Sequence, residues 1–151
     1  MAGKQKLWKA GRGKLGALSP LLGSWSTEAD SPAGRVRCER TFASAIGGAF
    51  VTLSATWNTG GKGYHELAVF GIGDDGALTF WSFTSDGRRA TGLRVAAPDL
   101  PAEALAFEAE MPAGLARQAY WPEADGTVTW VVEARNKSGW KRFLTHHYRR
   151  A

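Results

Sequence analysis

The sequence predicts an all-β protein, a single closed up-and-down antiparallel barrel of about ten strands with a short N-terminal helical turn or plug. Three observations lead to this prediction. Short runs alternate between apolar and polar residues along most of the chain. Turn-forming residues separate these runs at regular intervals. The linkers are too short for the crossover connections that parallel strands need.

The predicted elements follow in order from the N-terminus. Residues 1–14 are expected to form a flexible basic leader, and 15–151 the barrel domain. Within that domain, the segment 15–22 predicts a helical turn or plug that Pro20 interrupts. The alternating runs predict strands at 23–29, 35–43, 48–57, 64–72, 77–84, 88–95, 104–110, 115–122, 127–135 and 140–149.

Glycine-containing turns separate most of these runs, and the Asp-Gly pairs are the strongest hairpin signals among them. Pro98 and Pro101 mark one longer loop. The predicted turns contain residues 31–34, 59–61, 74–76, 85–87, 124–126 and 137–139.

Alternation also predicts which residues share a face of the sheet. One face of the run 48–57 carries Ala49, Val51, Leu53, Ala55 and Trp57. One face of the last run carries Trp140, Leu144, His146, Tyr148 and Arg150. A one-residue bulge would reverse either assignment beyond it.

Composition limits the classes of function. The chain has 151 residues, 44% hydrophobic and 22% charged, which indicates one globular domain rather than a disordered chain. Cys38 is the single cysteine, so we expect a buried inert thiol and a reducing, cytoplasmic compartment. The net charge of +5 comes partly from the leader, and no zinc or RNA-binding signature accompanies it. We expect no nucleic-acid partner and no membrane span, and leave a homodimer open.

Residues at the two ends of the barrel predict a clasp. Gly23 and Trp25 open the first strand, and Arg150 ends the last. A planar guanidinium that stacks on an indole contributes roughly 0.5–2 kcal/mol. We therefore predict that Trp25 lies at the base of the barrel under Arg150.

The order of these motifs resembles the calycin superfamily of lipocalins, fatty-acid-binding proteins and nitrobindin-like barrels. The chain is most similar to uncharacterised bacterial calycin-like domains, from about residue 18 to residue 150. This resemblance implies a barrel with a cavity and no established reaction. It rests on Gly23-x-Trp25, Arg150, and the segments 46–51, 65–74, 78–82 and 86–87.

Two branches of the superfamily imply site residues. Fatty-acid-binding proteins hold a carboxylate with an inward Arg-x-Tyr pair on the last strand, which His146 and Tyr148 match here. Nitrobindins bind haem through a histidine on the last strand, which His146 or His147 matches, and His65-Glu66 loosely resembles their second motif. The segment 30–34 is too short for a helical lid, which favours the nitrobindin-like branch.

Arg117 and Gln118 interrupt an apolar run, so one of them is expected to face inward. An inward arginine needs an anionic partner or a ligand carboxylate. The structural alternative is an ion pair between Arg117 and Glu108 or Glu133.

The first functional hypothesis is a non-enzymatic barrel that binds a small, mainly apolar ligand with one polar end. Arg117, His146 and Tyr148 are its expected anchors, and His65 and Trp81 its lining residues. For His65 the alternative is a solvent-facing position, and for Trp81 it is outer packing. Two other hypotheses remain: a haem barrel that acts on reactive nitrogen or oxygen species through His146, and a filled barrel that serves as an interaction module. No metal site other than that haem is expected.

Overall fold

The computed structural model describes residues 8–31, 34–59 and 62–151. Within these residues, ten antiparallel strands form one closed barrel, which confirms the predicted fold class. A 3-10 helix, Gly16–Leu21, precedes the barrel. The strands are β1 (Gly23–Ser31), β2 (Gly34–Ala45), β3 (Phe50–Thr59), β4 (Lys62–Ile72), β5 (Leu78–Thr84), β6 (Arg89–Val95), β7 (Leu105–Met111), β8 (Gly114–Pro122), β9 (Val128–Asn136) and β10 (Gly139–Arg150).

Each strand pairs with its neighbours in sequence, and β10 returns to β1 to close the barrel. The closing seam is short. Among the described residues, β1 and β10 pair at two positions, Trp25 with Arg150 and Ser26 with Arg149. By contrast, β1 pairs with β2 along its whole length. The two strands of the seam therefore separate beyond Ser26.

The 3-10 helix plugs one end of the barrel. Leu18 and Leu21 are fully buried against the inward-facing side chains, and the Trp25 indole Nε1 donates to the Leu21 carbonyl at 2.8 Å. Alternating residues of the surrounding strands fill this half of the lumen. The buried inward side chains here include Phe42, Val51, Phe70, Phe80 and Phe107.

The opposite half of the lumen is less completely shielded from solvent. Its inward-facing side chains are only half-buried, although they belong to the same alternating pattern as the core. The barrel is therefore filled at the plugged end, and we call the less shielded half at the other end the cup. The half-buried inward residues include Val36, Trp57, Tyr64, Met111, Val132 and Leu144.

Two details of the predicted strands are wrong. The predicted strand 48–57 begins at Phe50, because Ile46, Gly47 and Gly48 adopt positive φ angles of 52°, 64° and 86° in a tight turn. Trp140 lies on the outer face rather than with His146. The cause is a bulge between Arg142 and Leu144, which reverses the alternation of β10.

Three Asp-Gly turns form as predicted. Gly76, Gly87 and Gly126 have φ angles of 83° to 85°, a backbone conformation that residues other than glycine rarely adopt. The predicted turns at 31–34 and 59–61 lie partly outside the described residues, which lack 32–33 and 60–61.

The predicted leader is described from residue 8 onward, and residues 1–7 lie outside the described residues. Trp8 packs partly buried against the core. The Gly11 N–H donates to the Gly16 carbonyl at 2.8 Å, which ties this segment to the plug. In the described part of the chain, no helix has the length and apolar character that crossing a bilayer requires.

Candidate functional site

Arg40 stands at the floor of the cup. Strand β2 alternates so that Val36, Cys38, Arg40 and Phe42 face the lumen. Arg40 is 1% exposed, and its guanidinium carbon lies 4.1 Å from the centroid of the Trp130 ring. An arginine side chain stays protonated in proteins, so a full positive charge is buried here.

The partners of Arg40 satisfy only one side of its guanidinium. Nη2 donates to the Tyr120 hydroxyl at 2.6 Å. The Glu66 carboxylate lies 3.7 Å from Nη2, which is too far for a direct hydrogen bond. Nε and Nη1 are buried and have no hydrogen-bond partner among the described residues. These two atoms carry three of the five N–H groups of the side chain.

A second buried donor lies beside the first. Trp57 Nε1 is sealed from solvent and, within the described residues, makes no hydrogen bond of normal geometry, although it lies close enough to the Tyr148 hydroxyl to favour the ionised form of that group. The Trp57 ring stacks on Tyr64 with centroids 5.0 Å apart, and it tilts against Trp130 at 6.1 Å. Trp57 and Arg40 therefore both contact Trp130. Native proteins leave few buried donors unpaired, so a cluster of them calls for an explanation.

His146 and Tyr148 flank this cluster from β10. His146 Nδ1 lies 3.1 Å from the Tyr148 hydroxyl, and both residues are buried. Burial, together with the charges of Arg40 and His147, lowers the pKa of His146 to about 4. The imidazole is therefore neutral at physiological pH. Its Nε2 has no hydrogen-bond partner among the described residues.

The low pKa of His146 predicts a dependence of stability on pH. An unfolded histidine titrates near 6.5, whereas the folded His146 titrates near 4. Between these values the unfolded chain binds more protons, so this group lowers the free energy of unfolding as the pH falls from about 6.5 to about 4. Urea denaturation at a series of pH values should show that His146→Gln flattens this slope. The matched control His65→Gln, at an exposed position, should retain it.

A cleft along the closing seam leads to His146 from outside. It has a volume of about 1070 Å³ and lies where β1 and β10 separate. Its lining includes Thr27 and Ala29 of β1 and Thr145, His146 and His147 of β10. His146 is thus a wall of both the lumen and the cleft.

His65 and Trp81 lie apart from this cluster. His65 is exposed on the outer face of β4, where its backbone N–H donates to the Ser85 hydroxyl at 3.0 Å. Trp81 follows the inward-facing Phe80 and lies on the outer face beside Gly71. Neither residue lines the lumen. His65 takes the solvent-facing position, and Trp81 the outer packing position, that were expected as alternatives to a lining role.

Arg117 also lies on the outer face, where it is 3% exposed beneath the loop between β6 and β7. It donates to Asp99 at 2.7 and 2.9 Å and to Glu133 at 2.6 and 2.8 Å. Gln118 is the inward member of the pair, and its Oε1 accepts from Trp130 Nε1 at 3.1 Å. Gln118, rather than Arg117, is therefore the member of the pair that faces the lumen, and the partners of Arg117 include Glu133, as in the structural alternative.

Arg40 is the residue that sequence reasoning missed. The signal is present in β2, because Arg40 has the same alternation phase as Val36, Cys38 and Phe42. A charged residue in the phase of a core face is uncommon unless it has a partner or a function. Alternation does not decide the face of Arg117 in the same way, because apolar residues occupy both faces of β8.

The clasp forms at the plugged end. The Arg150 guanidinium carbon lies 4.3 Å from the Trp25 ring centroid, and its nitrogens donate to the Leu22 and Pro20 carbonyls at 2.8 and 3.2 Å. Gly23 has a φ of 113°, and a Cβ there would lie 2.8 Å from Arg150 Nη1. Glycine at this position therefore permits the positive φ angle and leaves room for the Arg150 guanidinium.

Comparison with known proteins supports the architecture. No family model matches the sequence, and no curated protein matches it either. The fold is similar to the crystal structure of Rv2717c from M. tuberculosis, with a TM-score of 0.60 and 18% sequence identity. The alignment covers 93% of this chain and 98% of that chain. At this level of identity the similarity shows a shared barrel fold and nothing about function.

Proposed function

We propose that the protein is a binding barrel whose cup holds a small, mainly apolar molecule with a hydrogen-bond acceptor at one end. The observation that carries this proposal is the cluster of buried, unpaired donors, Arg40 Nε, Arg40 Nη1 and Trp57 Nε1. All belong to side chains that contact Trp130 at the floor of the cup.

Energetics favour a ligand at this position. A buried donor without a partner destabilises the folded state by about 1–3 kcal/mol, and more when it is charged. An acceptor at the buried end of a ligand would remove that penalty at several atoms together. The half-buried apolar walls of the cup, such as Val132 and Leu144, suit the body of such a ligand.

Arg40 takes the anchoring role that the sequence hypothesis gave to Arg117. His146 and Tyr148 remain in the proposed site, since their mutual hydrogen bond lies within the same aromatic cluster. His146 is neutral and contributes a polar edge without a charge. His65, Trp81 and Arg117 are not part of the proposed site, because they lie on the outer face.

Titration with an environment-sensitive apolar dye tests the proposal. We expect one dye per chain, and we expect decanamide, an apolar molecule with a carbonyl acceptor, to displace it. Arg40→Met should weaken decanamide by at least about tenfold, since it removes a charged donor worth about 1.5–3 kcal/mol. Arg149→Met makes the same change on the exposed face of β10 and should leave the affinity unchanged.

The stability of Arg40 variants separates a binding role from a structural one. Arg40→Met alone leaves Glu66 without its cationic partner, whereas the double variant Arg40→Met/Glu66→Leu removes both charges and the unpaired donors, so the free energy of unfolding of the double variant should rise by about 1–3 kcal/mol. A loss of stability in the double variant together with unchanged decanamide binding would contradict the proposal. That result would make Arg40 a structural residue of the core.

Haem binding through His146 is the second candidate, and the unpaired Nε2 atom favours it. The surroundings fit a haem poorly. The rings of Trp57, Trp130 and Tyr148 have centroids 5.5 to 6.4 Å from the imidazole, and a macrocycle in the lumen would have to displace them. Haem binding through His146 would give a Soret band that His146→Ala abolishes and His147→Ala retains. We expect hemin titration to give no such band.

A further inference from the structure

Arg40 is the positive charge at the floor of the cup, and the titratable groups around it add no second positive charge that would favour a bound anion. Besides Arg40, the titratable groups around it are Glu66, Tyr120, Tyr148, His146 and Cys38. Burial raises the pKa of Cys38 to about 11 and that of Tyr148 to about 12, so both groups are neutral. The neutral imidazole of His146 adds no charge.

Glu66 already balances the charge of Arg40. Its side chain faces the lumen from β4 and is 21% exposed, with Oε1 3.7 Å from Arg40 Nη2. The distance leaves the Arg40 donors free for another acceptor, but the carboxylate stays close enough to act on that acceptor through its charge. A second carboxylate at Arg40 would therefore meet the negative charge of Glu66 in a poorly solvated site.

We propose that Glu66 makes the cup select apolar ligands whose buried end is an uncharged acceptor, such as an amide or a ketone, over carboxylates of the same length. This inference rests on the proposed function of the cup. A neutral acceptor satisfies the unpaired N–H groups and preserves the balance between Arg40 and Glu66. A carboxylate satisfies the same groups but leaves one excess negative charge.

Decanamide and decanoate form a matched pair of probes for this inference. Their affinities should be measured near neutral pH by displacement of the apolar dye from the full chain. We expect the wild-type protein to bind decanamide at least about tenfold more tightly than decanoate, because like charges placed side by side at a binding site are strongly unfavourable. Glu66→Gln should remove most of this preference, chiefly by tightening decanoate.

Glu110→Gln is the matched control. Glu110 is exposed on the outer face of β7, so the same change there should leave the preference intact. Glu66→Ala provides a second variant without the carboxylate, and a thermal melt confirms that each variant is folded.

The outcomes distinguish the inference from the proposed function. If both probes bind and Glu66→Gln leaves their ratio unchanged, the role of Glu66 is wrong and the binding barrel stands. A wild-type preference for decanoate would also overturn the role of Glu66 alone. If neither probe binds to folded wild-type protein or to folded Glu66→Gln, both the selectivity and the proposed function are wrong.

Discussion

Trp25→Ala should lower the free energy of unfolding by about 3–5 kcal/mol, the range for removal of a large buried aromatic side chain. Trp25 is 4% exposed and joins the plug to the barrel through its bond to the Leu21 carbonyl. The substitution leaves a cavity, removes the donor to that carbonyl and deprives Arg150 of its stacking surface. For a chain of this size the melting temperature should fall by roughly 10 °C.

Arg150→Ala is the control for this prediction. Arg150 is exposed, so its removal should lower the free energy of unfolding only by about 0.5–2 kcal/mol, the scale of a cation–π contact. Urea denaturation of both variants compares the two losses directly. Equal losses would show that the arginine, rather than the buried indole, carries the stability of this end of the barrel.

Arg117→Ala should lower the free energy of unfolding by about 3 kcal/mol, because removal of one partner from a buried ion pair leaves the charge of the other poorly compensated. Glu133 is 4% exposed and, among the described residues, keeps one cationic partner, the half-exposed Arg142 at 3.1 Å. Asp99 loses both of its bonds to the guanidinium, which releases the loop between β6 and β7 from the outer face. The guanidinium also leaves its position 4.4 Å from the Trp140 ring.

The double variant Arg117→Met/Glu133→Leu tests the cause of that loss. Replacement of both charges by apolar side chains should recover most of the stability, because neither charge then remains buried without its partner. Both Arg117 variants should bind decanamide as the wild type does, since Arg117 lies outside the lumen. A loss of decanamide binding in the folded double variant would show that Arg117 contributes to the binding site.

The barrel was predictable because its signals are local and repeated. Ten alternating runs and their turns each identify an element independently, so an error such as the start of β3 does not affect the rest. The outward position of Trp140 could not be predicted from the alternation of its own strand. The bulge of β10 depends on pairing with β9, and alternation within one strand cannot locate it.

The candidate site was predictable only in part. His146 and Tyr148 are two residues apart on one strand, so alternation alone places them on the same face. The pairing of Arg117 with Asp99 depends on how the loop between β6 and β7 folds over the outer face, which no spacing in the sequence indicates. Arg40 meets Tyr120 across 80 positions of the sequence, so its role emerges only when the barrel closes.

The most direct test of the binding cup observes its unpaired donors themselves. Nitrogen–proton correlation NMR resolves the indole N–H of Trp57, assigned by Trp57→Phe, and the Nε–H of Arg40, assigned by Arg40→Met. Saturation with decanamide should move both signals downfield, as a new hydrogen bond to each donor requires. Signals that stay in place while decanamide binds would show that the ligand lies elsewhere, and the central claim about the cup would be wrong.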